Sequence, residues 1–142
     1  MEVVLGSDHA GFDLKEACKA HLEGLTDFSA KDMGVFSRDS ADYPEVAHKV
    51  AQAVASGQYG FGILVCGTGL GMSIVANRHK GVRVALCHNL YTAQMSRMHN
   101  DANILAMGGR VIGEGLALEM VDLFLSTPFE GGRHQVRLDQ ID

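Results

Sequence analysis

The chain has 142 residues, 46% hydrophobic and 20% charged, with no Trp and a formal net charge of −5. That length reads as one domain, 1–142, burying roughly two-thirds of the surface its unfolded chain would expose. The acidic balance argues against non-specific nucleic-acid binding, and no apolar run nears the ~20 residues of a membrane span.

The N-terminus, Met1 to Asp8, carries no basic region and enters a strand at once, so it does not read as a signal peptide. Three cysteines without a short repeating spacing fit free thiols in a reducing cytoplasm. Val3 to Ser7 is the first expected strand. From Gly11 to Leu25 the apolar positions Leu14, Cys18, Leu22 and Leu25 fall at helical spacing. A weaker strand follows within Phe28 to Met33, then a polar loop. Asp42-Tyr43-Pro44-Glu45 reads as a helix start, with Asp42 as cap and proline in the first turn. Val46, Val50 and Val54 continue that helix, and Gly57 stops it. A strand from Phe61 into Cys66, a helix over Ser73 to Arg78 and a strand over Val82 to Cys87 come next. A helix over Leu90 to His99, a fifth strand over Asn103 to Met107, and a helix carrying Leu116, Met120, Val121 and Phe124 complete the pattern. Apolar strands separated by helices predict an α/β fold: a doubly wound five-stranded parallel sheet in a single domain.

The segment Cys66-Gly67-Thr68-Gly69-Leu70-Gly71 is the most informative. Alternate glycines let the backbone approach a ligand and leave N–H groups pointing one way at the start of a helix. That is a cradle for an anion, and a cysteine there sits where a helix dipole favours thiolate. A dinucleotide fingerprint fails, because G-x-G-x-x-G needs glycine where Met72 or Ile74 stands; a P-loop fails for want of lysine. A cysteine phosphatase would want arginine at Met72. The competing reading is a strand-to-helix turn that needs glycine only for packing. Cys18 and Cys87 lie in apolar stretches and read as packing residues.

Ligands of open α/β sheets bind beyond the carboxyl ends of the strands. Asp8-His9, Cys66-Gly67-Thr68, His88-Asn89 and the region of Arg110 are all expected at that edge. Individually each has a plain explanation: Asp8 as a helix cap, His88 as a solvated loop residue. His99-Asn100 end a helix that leads into a strand, which places them at the opposite edge, as a favourable charge and a C-cap. If catalytic, they would serve a neighbouring subunit. In the tail, Arg133 and Arg137 lie four apart on one helical face, able to grip a phosphate or simply to be solvated.

Asp8-His9-Ala10-Gly11, Asp42-Tyr43-Pro44, Cys66 to Gly71, His99-Asn100 and Gly131-Gly132-Arg133-His134-Gln135-x-Arg137 together resemble the type B ribose-5-phosphate isomerases. That family is shared with galactose-6-phosphate isomerase, whose branch departs from this sequence at the His-Asn pair and the arginine tail. The resemblance runs from the first strand to the tail. It implies interconversion of D-ribose 5-phosphate and D-ribulose 5-phosphate, without metal or organic cofactor, in a Rossmann-like homodimer that sometimes pairs into a tetramer. By the same resemblance Cys66 is the base, and Thr68 and His99 open the furanose ring. The backbone of Gly67, Gly69, Leu70 and Gly71 holds the enediolate oxygen. Asp8, Tyr43 and Asn100 contact the sugar, and His9, Arg110, Arg133 and Arg137 surround the phosphate. Relatives that replace the cysteine by serine bring a glutamate to the position aligned with Leu70, so the thiol version applies. The open alternatives are another sugar phosphate, such as allose 6-phosphate, and a non-catalytic sugar-phosphate sensor.

Overall fold

The computed structural model describes Met1–Asp142. In chain order the elements are β1 (Glu2–Ser7), α1 (Phe12–Glu23), β2 (Ser29–Asp32), α2 (Tyr43–Ala55), β3 (Phe61–Cys66), α3 (Leu70–Ala76), β4 (Val84–Leu86), α4 (Leu90–Met98), β5 (Ile104–Gly108), α5 (Glu114–Ser126) and α6 (Arg133–Leu138). All four strand pairings are parallel, in the order β2-β1-β3-β5-β4. This is the expected doubly wound sheet, followed by a short helical tail.

The period-2 alternation of the strands divides the core into two layers. Val3, Leu5, Ile63, Val65, Leu105 and Met107 face one side, where Leu14, Cys18 and Leu22 of α1, Ala93 of α4 and Ala117, Met120, Val121 and Phe124 of α5 cover them. Val4, Leu64, Cys66 and Ile104 face the other, under Val46, Val50 and Val54 of α2 and Met72 and Ala76 of α3. From β1 the chain first winds outward to β2, then crosses back over β1 to β3. The carboxyl ends of β1 and β3 therefore flank a topological switch point, where the connections leave in opposite directions and open a crevice.

Three close approaches shape that crevice. A Cβ on Gly11 would lie 2.3 Å from the Val65 carbonyl oxygen, so only glycine lets α1 begin against β3. Gly69, at φ +80°, turns the chain directly from β3 into α3, which is why that helix starts at Leu70 rather than at Ser73. On the α1 side, Lys15 is fully buried and its ammonium bonds both Asp32 carboxylate oxygens, at 2.8 and 2.9 Å, and the Val35 carbonyl. Lys15 thereby ties α1 to the end of β2.

Two boundaries differ from expectation for local reasons. The strand expected over Val82 to Cys87 is only Val84–Leu86: Val82 closes a turn onto the His79 carbonyl, and the Arg83 N–H donates to the Asn103 side chain. Asp42 does hold the N-cap position of α2, but its side chain makes no capping bond. At the end of α4 the C-cap is His99, with Asn100 one residue beyond.

Candidate active site

β3 ends on buried Cys66, and the loop that follows curls back over the sulfur. The Gly69 N–H donates to Cys66 Sγ at 3.1 Å, and the Leu70 N–H donates to Thr68 Oγ1 at 3.2 Å. The N–H groups of Gly67, Thr68 and Gly71 have no acceptor in the protein. The loop thus divides its donors, two holding its own shape and three open to a ligand. Gly67 and Gly71 fall among the open ones; Gly69 and Leu70 are engaged internally.

Neighbouring elements are locked onto this loop. The Gly109 and Arg110 N–H groups donate to the Cys66 and Gly67 carbonyls at 2.8 and 3.0 Å. The exposed Arg110 guanidinium accordingly stands beside Gly67, 3.4 Å from where a Cβ would be. Gly108 has no room for a side chain against Thr68, and its N–H donates to His88 Nε2 at 3.1 Å. That bond gives His88 a structural duty at the rim. Tyr43, the first residue of α2, lays its ring against Gly71 so closely that a Cβ there would sit 2.6 Å from two ring carbons.

β1 contributes the opposite wall. Asp8 is buried, and one of its carboxylate oxygens accepts from the Gly11 N–H at 3.0 Å, fixing the turn into α1 while leaving its second oxygen available. His9 Nδ1 accepts from the Ala41 N–H at 3.1 Å, so a neutral His9 carries its proton on Nε2. Cys66, Thr68, Asp8, His9, Tyr43 and Arg110 all stand at this carboxyl edge.

His99, Asn100, Arg133 and Arg137 do not. They stand at the opposite edge of the sheet, where α4 runs into β5. The turn there is built by charge: Asp101, at φ +45°, receives Arg97 at 2.8 Å and Arg83 at 3.2 Å, and the Arg83 Nε donates to the Asn100 carbonyl at 2.9 Å. The tail docks against this turn. The Glu130 N–H donates to the Met98 carbonyl at 3.1 Å, and the His134 ring stacks on His99 with centroids 4.3 Å apart. Arg133 and Arg137 of α6 are exposed beside it. The sequence does not single out Arg83, Arg97 or Asp101, and it assigns no role to Glu130 or to His134 of the tail motif. The i, i+4 spacing of Arg97 and Asp101 is the one local signal that could have pointed to this turn.

Burial, reinforced by the charge of Glu114, pushes the Cys18 thiol up to about 12. Burial also raises Cys87, against weaker opposing hydrogen bonds from Thr92 and Ser96. Neither is poised to ionise, in keeping with the packing role read from their surroundings.

A family model described as Ribose/Galactose Isomerase matches residues 3–141. Ribose-5-phosphate isomerase B of Escherichia coli (strain K12) is 47% identical over 142 residues, covering 99% of this chain and 93% of its own. D-erythrulose-4-phosphate isomerase of Pectobacterium atrosepticum is 41% identical over 145 residues, covering 99% and 93%. The solved structure of Clostridium thermocellum ribose-5-phosphate isomerase B superposes with a TM-score of 0.97 at 49% identity, covering 99% of this chain and 95% of that one. A full-length family match, close relatives and a coincident fold agree that the chain belongs to the ribose/galactose isomerase family.

Proposed function

We propose that this chain interconverts D-ribose 5-phosphate and D-ribulose 5-phosphate through an enediolate, with Cys66 as the base. The observation that carries this is the sulfur of Cys66 receiving the Gly69 N–H at 3.1 Å, beside N–H groups of Gly67, Thr68 and Gly71 that have no protein acceptor. A donor aimed at sulfur favours the thiolate, and the open donors suit an oxyanion forming next to it.

In the open-chain aldose, the thiolate takes the C2 proton; the C–H electron pair forms the C1–C2 double bond, the carbonyl π pair moves to O1, and the enediolate results. The proton returns to C1 while the proton of the C2 hydroxyl passes to O1, leaving a ketone at C2 and a hydroxyl at C1. Each backbone donor aimed at the developing charge is worth about 3–4 kcal/mol. Thr68 and His99 serve ring opening by moving a proton between the ring oxygen and the anomeric hydroxyl. Asp8, Tyr43 and Asn100 hold the sugar hydroxyls, and His9, Arg110, Arg133 and Arg137 the phosphate, whose binding orients the reacting carbons.

The arrangement requires two chains. Cys66 ends β3 at the carboxyl edge and His99 ends α4 at the opposite edge of the same sheet, so one chain does not bring them together. In a homodimer, one subunit's His99, Asn100, Arg133 and Arg137 would complete the other's cradle. Exposed Leu70 and Ile74 on α3 beside the cradle suit such an interface.

Kinetics of the purified protein against a panel of pentose and hexose phosphates test the substrate. Cys66→Ala should abolish isomerisation and solvent-deuterium exchange at C2 while ribose 5-phosphate still binds; undiminished exchange would assign the proton transfer to another residue. The Pectobacterium relative, named for a four-carbon substrate, supports a second reading in which the sugar is of another length. Turnover of a tetrose or hexose phosphate in preference to the pentose would select it.

A further inference from the structure

The tail carries one buried imidazole that the proposed reaction does not use. The His134 side chain is 8% exposed, and its ring lies flat on that of His99, with centroids 4.3 Å apart and planes 13° from parallel. Gly131 and Gly132, at φ +68° and +58°, turn the chain sharply into α6, and the Glu130 N–H holds that turn to α4 through the Met98 carbonyl at 3.1 Å. The Glu130 carboxylate faces the buried His134 Nε2 at 3.3 Å, and that nitrogen makes no hydrogen bond. His99 itself is half-buried at the C-cap, beyond the last residue of α4. The side-chain hydrogen bonds at that helix end belong to Ser96 and Arg97, and none holds the His99 ring.

We propose that His134 is a positioning residue for His99. Its ring is the platform that sets the plane of the His99 imidazole, and the Glu130 carboxylate keeps the platform in place. The inference rests on the ring-opening role of His99. Opening the furanose breaks the bond between C1 and the ring oxygen, as the anomeric hydroxyl loses a proton and the ring oxygen gains one. A group that moves this proton must hold its nitrogen in line with both oxygens. An imidazole at a helix end without hydrogen bonds swings among its rotamers. Stacking removes that freedom by covering one face of the ring, and it leaves free the edge that carries both nitrogens.

The test compares steady-state kinetics on ribose 5-phosphate with solvent-deuterium exchange at C1 of ribulose 5-phosphate. That ketose is open-chain, because the oxygen that would close its five-membered ring carries the phosphate. Exchange therefore needs the base and the cradle but no ring opening. In His134→Leu, kcat for ribose 5-phosphate should fall at least about tenfold, with KM within about twofold and exchange near wild type. His134→Phe restores a flat ring to stack on and should recover most of kcat. Wild-type kcat in His134→Leu overturns the positioning role, as does a His134→Phe no faster than His134→Leu. A parallel loss of exchange overturns it as general damage to the site, and a rise in KM alone would assign His134 to the arginines that flank it. Should His134→Leu fail to fold, Glu130→Gln at an exposed position takes its place. A kcat loss of at least about threefold is then expected, and an unchanged kcat overturns the proposal. His99→Ala separates the two claims. Slow turnover there beside wild-type kcat in His134→Leu refutes the positioning role alone; wild-type turnover in His99→Ala refutes the ring-opening role and the positioning role with it.

Discussion

Replacing Gly71 by alanine separates the binding role of the loop from its contribution to folding. Gly71 lies in the first turn of α3 without a positive φ, and alanine is the better helix former by about 1 kcal/mol. The new Cβ, however, would stand 2.6 Å from two carbons of the Tyr43 ring and 3.0 Å from a third. Restoring even a tight contact of 3.4 Å displaces the ring by about 0.8 Å. Tyr43 is 39% exposed, so the ring can swing outward without disturbing the core. Stability should therefore stay within about 1 kcal/mol of wild type, a melting shift of roughly 4 °C. Misplacing a substrate contact by about 1 Å can cost up to a hundredfold, so kcat/KM should fall by roughly ten- to a hundredfold. Gly69→Ala should behave in the opposite way. Its φ of +80° is strained for alanine, and its Cβ would meet Leu86 at 2.5 Å and Met107 main chain at 3.0 Å, which cannot swing aside. About 1–2 kcal/mol of backbone strain and 1–3 kcal/mol of overpacking should appear as lost stability. Steady-state kinetics and thermal melts of both variants, with the Tyr43→Ala and Gly71→Ala/Tyr43→Ala pair as a cycle, check this. Because both changes act on one contact, the double variant should be no slower than Tyr43→Ala. Wild-type kcat/KM in Gly71→Ala, or additive losses in the cycle, would refute the reasoning.

Arg133→Ala and Arg137→Ala should chiefly raise KM, each losing about 1.5–3 kcal/mol if it removes a hydrogen bond to the phosphate, and inorganic phosphate should compete with substrate. Unchanged KM in both would leave the tail a structural role. Mixing Cys66→Ala with His99→Ala protein under subunit exchange should restore activity towards one working site per heterodimer; confirmed exchange without recovery would refute the shared site. The Lys15–Asp32 pair should make stability acid-sensitive. Burial raises the Asp32 carboxyl, but the hydrogen bonds from Lys15 and the Gly34 N–H and the charges of Lys15 and Lys19 outweigh it and hold it below its ordinary value. A carboxyl depressed in the folded state contributes stability that is present above the unfolded value, about 3.9, and lost as pH falls through the folded one. Urea melts against a Lys15→Met/Asp32→Leu reference should therefore show wild type losing relative stability below about pH 4; a difference independent of pH would contradict this.

Much of this protein was determined by local sequence. Apolar strands alternating with helical periodicity define a doubly wound sheet, and the rule that ligands gather at carboxyl strand ends brings Asp8, His9, Cys66, Thr68 and Arg110 to one edge and His99 and Asn100 to the other. Those inferences rest on short-range periodicity and the direction of parallel strands, which a sequence carries openly. Only the tertiary structure decided how the loop spends its donors, with Gly69 and Leu70 bonding inward while Gly67, Thr68 and Gly71 remain open. It alone placed Tyr43 on Gly71, buried Lys15 against Asp32, and docked the tail so that Arg133 and Arg137 share an edge with His99. Each of these joins residues distant in the chain. Their partners are set by how the helices close over the sheet, and no periodicity within a single segment records that.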